Sequence, residues 1–240
     1  MMIANLRGGG MRNLNLCAVA LVLLTELSPK ANTQSPHLVS ISRSNLCVTE
    51  GTIDQQLGQP LSVNVSKMRA YLNANTQPLA EAHFTYLGAT PNESPLASGE
   101  MRGQFGLKLR AQDACNLVYS MWRIEPESKL VVSVKTNPGQ HTSEQCGNRG
   151  YQNIKPRHST PLPALTRGST HTLRAQMSGA EMEVFADNSL VWEGSVGADV
   201  LNFDGPVGLR SDNARLLINF SAGPLTKQQI SPGCRGHESE

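Results

Sequence analysis

From residue 38 onward the apolar residues of this chain recur with period two far more than with period 3.6, and that period constrains its fold more than any other feature. Period two sends successive side chains to opposite faces of a strand, whereas a helix would need a period of 3.6. The pattern predicts strands over 38–42, 61–65, 68–72, 82–87, 103–111, 117–124, 130–136, 170–177, 181–186, 190–195, 207–210 and 215–221. Turn chemistry separates them at Asn137-Pro138-Gly139, Ser178-Gly179, Asp187-Asn188 and Asp212-Asn213. Many short strands of this kind, with no long amphipathic helix, predict an all-β fold, an antiparallel two-sheet β-sandwich. A length of 240 residues suits one such domain, and no repeat or linker divides the span 38–225.

The N-terminus reads differently. Arg7 and Arg12 precede the apolar run 14–24, and Glu26, Ser28 and Pro29 follow it. A basic start, a short apolar stretch and a polar exit predict a secretory signal peptide over 1–31, the competing reading being a buried N-terminal helix. The run is short for a membrane span. Cys17 sits inside it, which argues against a lipoprotein. Residues 32–37 read as a flexible leader and 226–240 as a C-terminal tail. The chain is expected to be secreted or periplasmic, without a stable membrane span after processing.

Removal of the leader would leave Cys47, Cys115, Cys146 and Cys234, an even count that favours disulfides in an exported chain. Four cysteines allow three connectivities. Cys115 with Cys146 would tie the ends of one hairpin, and Cys47 with Cys234 would staple the chain ends. No Cys-x-x-Cys occurs, so a zinc site is not expected. Between Pro138 and Leu165 the sequence is polar and turn-rich, a long loop that Cys146 would pin and that can shape a binding site. The formal net charge of +2, with no run of Lys or Arg, gives no basis for nucleic-acid binding.

Residues 171–222 carry a family likeness. His171-Thr172-Leu173-Arg174-Ala175 is followed by Glu181-Met182-Glu183-Val184-Phe185-Ala186-Asp187-Asn188 and by Leu190-Val191-Trp192-Glu193-Gly194. Phe203-Asp204-Gly205-Pro206-Val207-Gly208-Leu209-Arg210 then leads to Ser211-Asp212-Asn213-Ala214. This resembles the concanavalin A-like lectin/glucanase superfamily, laminin-G-like modules included. The resemblance implies a jelly-roll of two antiparallel sheets that binds glycans and in some members cleaves them. Glucanases of that superfamily carry paired carboxylates on one strand, and no segment here matches their spacing. Glu181, Glu183 and Asp187 come nearest, but Asp187-Asn188 is more simply a hairpin turn. Gly-x-Ser-x-Gly, His-Glu-x-x-His and Gly-rich phosphate loops are absent. No cofactor is expected; calcium would draw on Asp204, Asp212 and Asn213, all in turns that use such residues anyway.

Face assignment is the more informative signal. If Leu107, Leu109, Trp122, Ile124, Val132 and Val134 face the core, alternation sends Lys108, Arg110, Tyr119, Met121, Arg123, Val131, Ser133 and Lys135 to the other side. Arg110, Tyr119, Arg123 and Lys135, bordered by His141, Arg149 and Tyr151 from the long loop, form the candidate ligand-binding set. An aromatic ring among cations suits a sugar, and the positive balance favours an acidic polysaccharide or glycoconjugate. The competing view is a solvated outer face holding one ordinary tyrosine. The leading functional expectation is a non-catalytic, exported carbohydrate-binding or adhesion module. Two alternatives stand beside it: a polysaccharide lyase or glycoside hydrolase of the same fold, and a protein-binding envelope module.

Overall fold

The computed structural model describes residues 37–230, with side chains to 226. The expected signal peptide at 1–31, nearly all of the leader, Cys234 and most of the tail lie outside the described residues.

Two large antiparallel sheets make a sandwich. One has the spatial order Val39–Ile41, Ala214–Ala222, Leu79–Ala89, Thr170–Ser178, Glu181–Ala186, Ser189–Ser195 and His158–Ser159, with Leu61–Val63 also paired to Ala214–Ala222. The other runs Tyr151–Asn153, Lys129–Lys135, Leu117–Arg123, Gln104–Leu109, Gly208–Asp212, Lys67–Leu72 and Leu46–Glu50. A small ribbon pairs Ala74–Thr76 with Leu225–Ile230. The antiparallel two-sheet architecture is the one the alternation predicts. Each strand read from the period is present, with ends displaced by a few residues.

The core lies between the sheets. Phe84 from the eight-stranded sheet meets Phe105 and Trp122 from the seven-stranded one, with ring centroids 4.8 and 5.6 Å apart. All three are fully buried, and Trp122 Nε1 donates to Ser128 Oγ at 3.2 Å, so its polar edge is satisfied. Leu107, Leu109, Val132 and Val134 point inward with them, as alternation requires. Asp187 and Asn188, at φ 48° and 65°, form the two-residue turn between Glu181–Ala186 and Ser189–Ser195. Both central residues sit in the left-handed region, as a type I′ turn demands.

The segment read as a long loop has more structure than its composition suggests. A short helix, Ser143–Cys146, is held by a disulfide from Cys146 to Cys115. The chain then adds Tyr151–Asn153 to the edge of the seven-stranded sheet and His158–Ser159 to the edge of the eight-stranded one. It therefore crosses from one sheet to the other and closes that side of the sandwich. Tyr151, Gln152 and Asn153 are all exposed, so no apolar alternation marks them as a strand. Cys47 is also disulfide-bonded.

Candidate functional site

The outer face of the seven-stranded sheet is polar in sequence and covered in the structure. Gln104–Leu109 is buried at all six positions, and Leu117–Arg123 at all but the last. Lys108 is 6% exposed, Tyr119 4% and Lys135 3%, which removes the solvated-face reading. Registration explains how long cations fit there. Two antiparallel neighbours carry Gly106-Leu107-Lys108 and Gly208-Leu209-Arg210, paired so that Lys108 faces Gly208 and Arg210 faces Gly106. Each cation thus lies opposite a residue with no side chain. A Cβ at Gly106 would fall 2.2 Å from the Ser120 carbonyl oxygen, and one at Gly208 2.2 Å from that of Ala70. Neither position tolerates another residue without moving backbone.

Arg210 is also registered opposite Arg69, a like-charge pair that would repel. Asp212, fully buried, resolves this by accepting from both. Arg210 Nε approaches Asp212 Oδ2 at 3.0 Å, Arg69 Nη2 approaches Oδ1 at 2.6 Å, and Gln104 Nε2 donates to Oδ2 at 2.6 Å. Burial alone would raise the Asp212 pKa, yet the two guanidiniums and the Gln104 bond outweigh it and hold the carboxyl below its usual range. Asp212 is therefore a structural anion, not a calcium ligand: a divalent cation there would meet two guanidiniums. Asn213 is committed too, exchanging hydrogen bonds with the Ser94 backbone and donating to the Arg102 carbonyl. Among the described residues no group of three or more His, Cys, Asp or Glu is placed to hold a metal.

Two tyrosines lie over this cluster. The rings of Tyr119 and Tyr151 stack at 5.9 Å between centroids, 26° from parallel. Arg210 lies 5.1 Å over the Tyr119 ring and donates from Nη1 to Tyr151 Oη at 3.1 Å; Lys135 Nζ sits 5.1 Å over the Tyr151 ring. Burial pushes the Tyr119 phenol up. Tyr151 goes the other way: burial opposes ionisation, but Arg210 and Lys135 overcome it and bring the phenol below its ordinary value. Tyr151 stays 38% exposed, so this face offers its aromatic ring to solvent.

The other sequence candidates divide. Lys135 joins the cluster through its ring contact, but its ammonium donates to the carbonyls of Ala114 and Gly147 and approaches Cys146 Sγ at 3.1 Å, fastening the disulfide loop. Arg149 is spent in the same loop, on the carbonyls of Gln145 and Cys146. His141, mostly exposed, pairs through Nδ1 with Asp113 Oδ2 at 2.7 Å. Arg110 adopts φ 47°, which ends its strand at Leu109, and its Nη1 donates to the Phe203 carbonyl at 3.1 Å. Arg123 lies farther along the face, registered with Gln104 and Lys129, and lines a separate cleft of about 730 Å³ with Lys129, Lys155, Ile154 and Trp192. Of the glucanase-like acids, Glu181 pairs with Arg157 and Glu183 accepts from Gln176, both on the eight-stranded sheet.

Tyr119, Tyr151 and Lys135 are in the candidate set read from sequence; Arg69 and Arg210 are not, and Asp212 was read there only as a turn residue and calcium candidate. The signal that would have found Arg210 is the repeated Gly-Leu-Lys and Gly-Leu-Arg, which match only when laid antiparallel. Arg69 carries no such mark.

No family model and no curated protein sequence matches the chain. Among solved structures it is similar to the carbohydrate-binding module CBM66 from Bacillus subtilis, at 14% identity over 73% of this chain and 92% of that one, with a TM-score of 0.48. The Emp46p carbohydrate recognition domain, metal-free form, aligns at 8% identity over 76% and 90%, TM-score 0.46. Domain 4 of AbnA, a GH43 extracellular arabinanase from Geobacillus stearothermophilus solved with arabinotriose, aligns at 12% over 78% and 86%, TM-score 0.42.

Proposed function

We propose that this protein is an exported, non-catalytic carbohydrate-binding or adhesion module, secreted or periplasmic, that takes acidic glycans on the outer face of its seven-stranded sheet. One observation carries the reading: the partly exposed Tyr151 ring stacked on Tyr119 and flanked by Arg210 and Lys135. A flat aromatic beside fixed donors suits a sugar ring, and the surrounding cations favour a uronate or sulfated residue over a neutral one. The Cys115–Cys146 disulfide supports an oxidising compartment. Among the described residues no helix is long and apolar enough to cross a membrane.

Calorimetric titration with acidic and neutral polysaccharides tests this, the expected dissociation constants lying between about 1 µM and 1 mM. Tyr151→Ala should weaken binding by about tenfold, roughly 1.4 kcal/mol, with the fold retained in circular dichroism, because the ring lies outside the sandwich core. Absence of binding to every charged polysaccharide would sink the proposal.

A second reading, a polysaccharide lyase, is favoured by the lowered Tyr151 phenol beside two cations. In that reaction the phenolate takes the proton α to a uronate carboxylate and the C4–C5 double bond forms. The C4–O bond breaks, the leaving oxygen collects a proton, and Arg210 offsets the carboxylate charge. Ultraviolet-absorbing unsaturated product after incubation with a polyuronate, abolished by Tyr151→Phe, would establish it.

A further inference from the structure

The charges beneath the tyrosines do not balance. Arg69, Lys108 and Arg210 are three cations against the single buried carboxylate of Asp212; Glu50, nearly half exposed, stands 3.7 Å from Arg69 at the rim. Both arginines are committed. Arg69 spends its donors on Asp212 and on the Met68 and Ser211 carbonyls, and Arg210 on Asp212 and Tyr151. Lys108 is not. It is 6% exposed and makes no hydrogen bond to the protein, so its ammonium has for acceptors only the little solvent that still reaches it. A mostly buried ammonium beside two guanidiniums, with no acceptor from the protein, is a costly arrangement, and such arrangements concentrate at functional sites.

Position shows what would satisfy it. Lys108 is registered between Tyr119 on one neighbouring strand and Gly208 on the other, and Gly208 in turn faces Tyr71. The glycine leaves the ammonium unblocked on the Arg69 and Arg210 side, and Tyr119 separates it from the exposed Tyr151 ring. Burial first, and then the two guanidiniums, hold the Lys108 pKa well below its ordinary range, the pull of Glu50 and Asp212 being too weak to offset them. An added negative charge would reverse that balance.

We propose that Lys108, between Arg69 and Arg210, is the seat of an anionic substituent, a carboxylate or sulfate, carried by the glycan whose ring rests on Tyr151. The assignment rests on the glycan-binding reading of this face and adds the substituent class and the residue that receives it. Tyr151 would supply contact to the sugar ring and Lys108 discrimination by charge.

The test uses the full chain and its Lys108→Met and Lys108→Arg variants, titrated with polygalacturonate, its carboxyl-reduced neutral form, dextran sulfate and dextran. The expected result is at least tenfold preference for one charged polymer over its neutral counterpart. That preference should be lost in Lys108→Met and largely kept in Lys108→Arg, and the polymer preferred tells carboxylate from sulfate. Equal binding of charged and neutral polymers by the wild type overturns the proposal and leaves the glycan-binding reading intact, as does a preference that survives Lys108→Met. Inorganic sulfate and acetate, followed by the NMR shift of the Lys108 ε-methylene, separate the two readings. A saturable shift with no polymer bound retains the anion seat and rejects the glycan; no shift and no polymer binding reject both.

Discussion

Lys108 shows how one residue can be placed by its neighbours rather than by its own preference. Alternation puts it on the outer face, the glycine opposite makes room for its stem, and a tyrosine flanks it on the other side. The cost is measurable. A lysine whose folded pKa lies below 10.5 holds fewer protons than in the unfolded chain, so its penalty is fully present at lower pH and fades as pH rises toward 10.5. Lys108→Met should therefore raise the melting temperature near neutral pH, with a smaller gain at pH 10.5; an equal gain at both values would mean that the ammonium is solvated. The outward direction of Lys108 was legible from period two alone. Its burial was not, because its neighbours Arg69, Tyr119 and Arg210 come from three other strands.

At the scale of the element, the informative piece is the segment between Pro138 and Leu165. Its polar, turn-rich composition reads as loop, and the Cys115–Cys146 pairing was legible as the tie across a hairpin. The short strand Tyr151–Asn153 was not, since an edge strand exposed on both faces has no apolar residue to mark its period. The disulfide closes a loop with a sequence separation of 31 residues, worth on the order of 3–4 kcal/mol in chain entropy. It also holds Gly147, whose carbonyl accepts from Lys135, directly ahead of the strand that presents Tyr151. A Cys115→Ser, Cys146→Ser double variant should lose about 2–5 kcal/mol in denaturant titration. It should also show faster amide exchange at Ile154, whose N–H donates to the Val132 carbonyl, than at Leu107 in the sheet centre. Uniform acceleration would instead mean that the loop and the sandwich unfold as one unit.

For the molecule as a whole, the fold class was written in the strand period and the turns, because both are local. The charge cluster was not, because it exists only once Lys67–Leu72, Gln104–Leu109 and Gly208–Asp212 lie side by side. The formal net charge of +2 gives no hint of it. If the local excess draws acidic polymers, raising salt from about 0.05 to 0.5 M should weaken their binding several-fold and leave neutral polymers unaffected; calorimetry at the two salt levels decides this. The segment that carries Tyr151 has one more consequence. By pairing Tyr151–Asn153 with one sheet and His158–Ser159 with the other, it ends one flank of both sheets in very short strands. Edge strands of two and three residues offer little length for a strand from a second molecule to pair with, so crowding on a polymer need not lead to fibre growth from that flank.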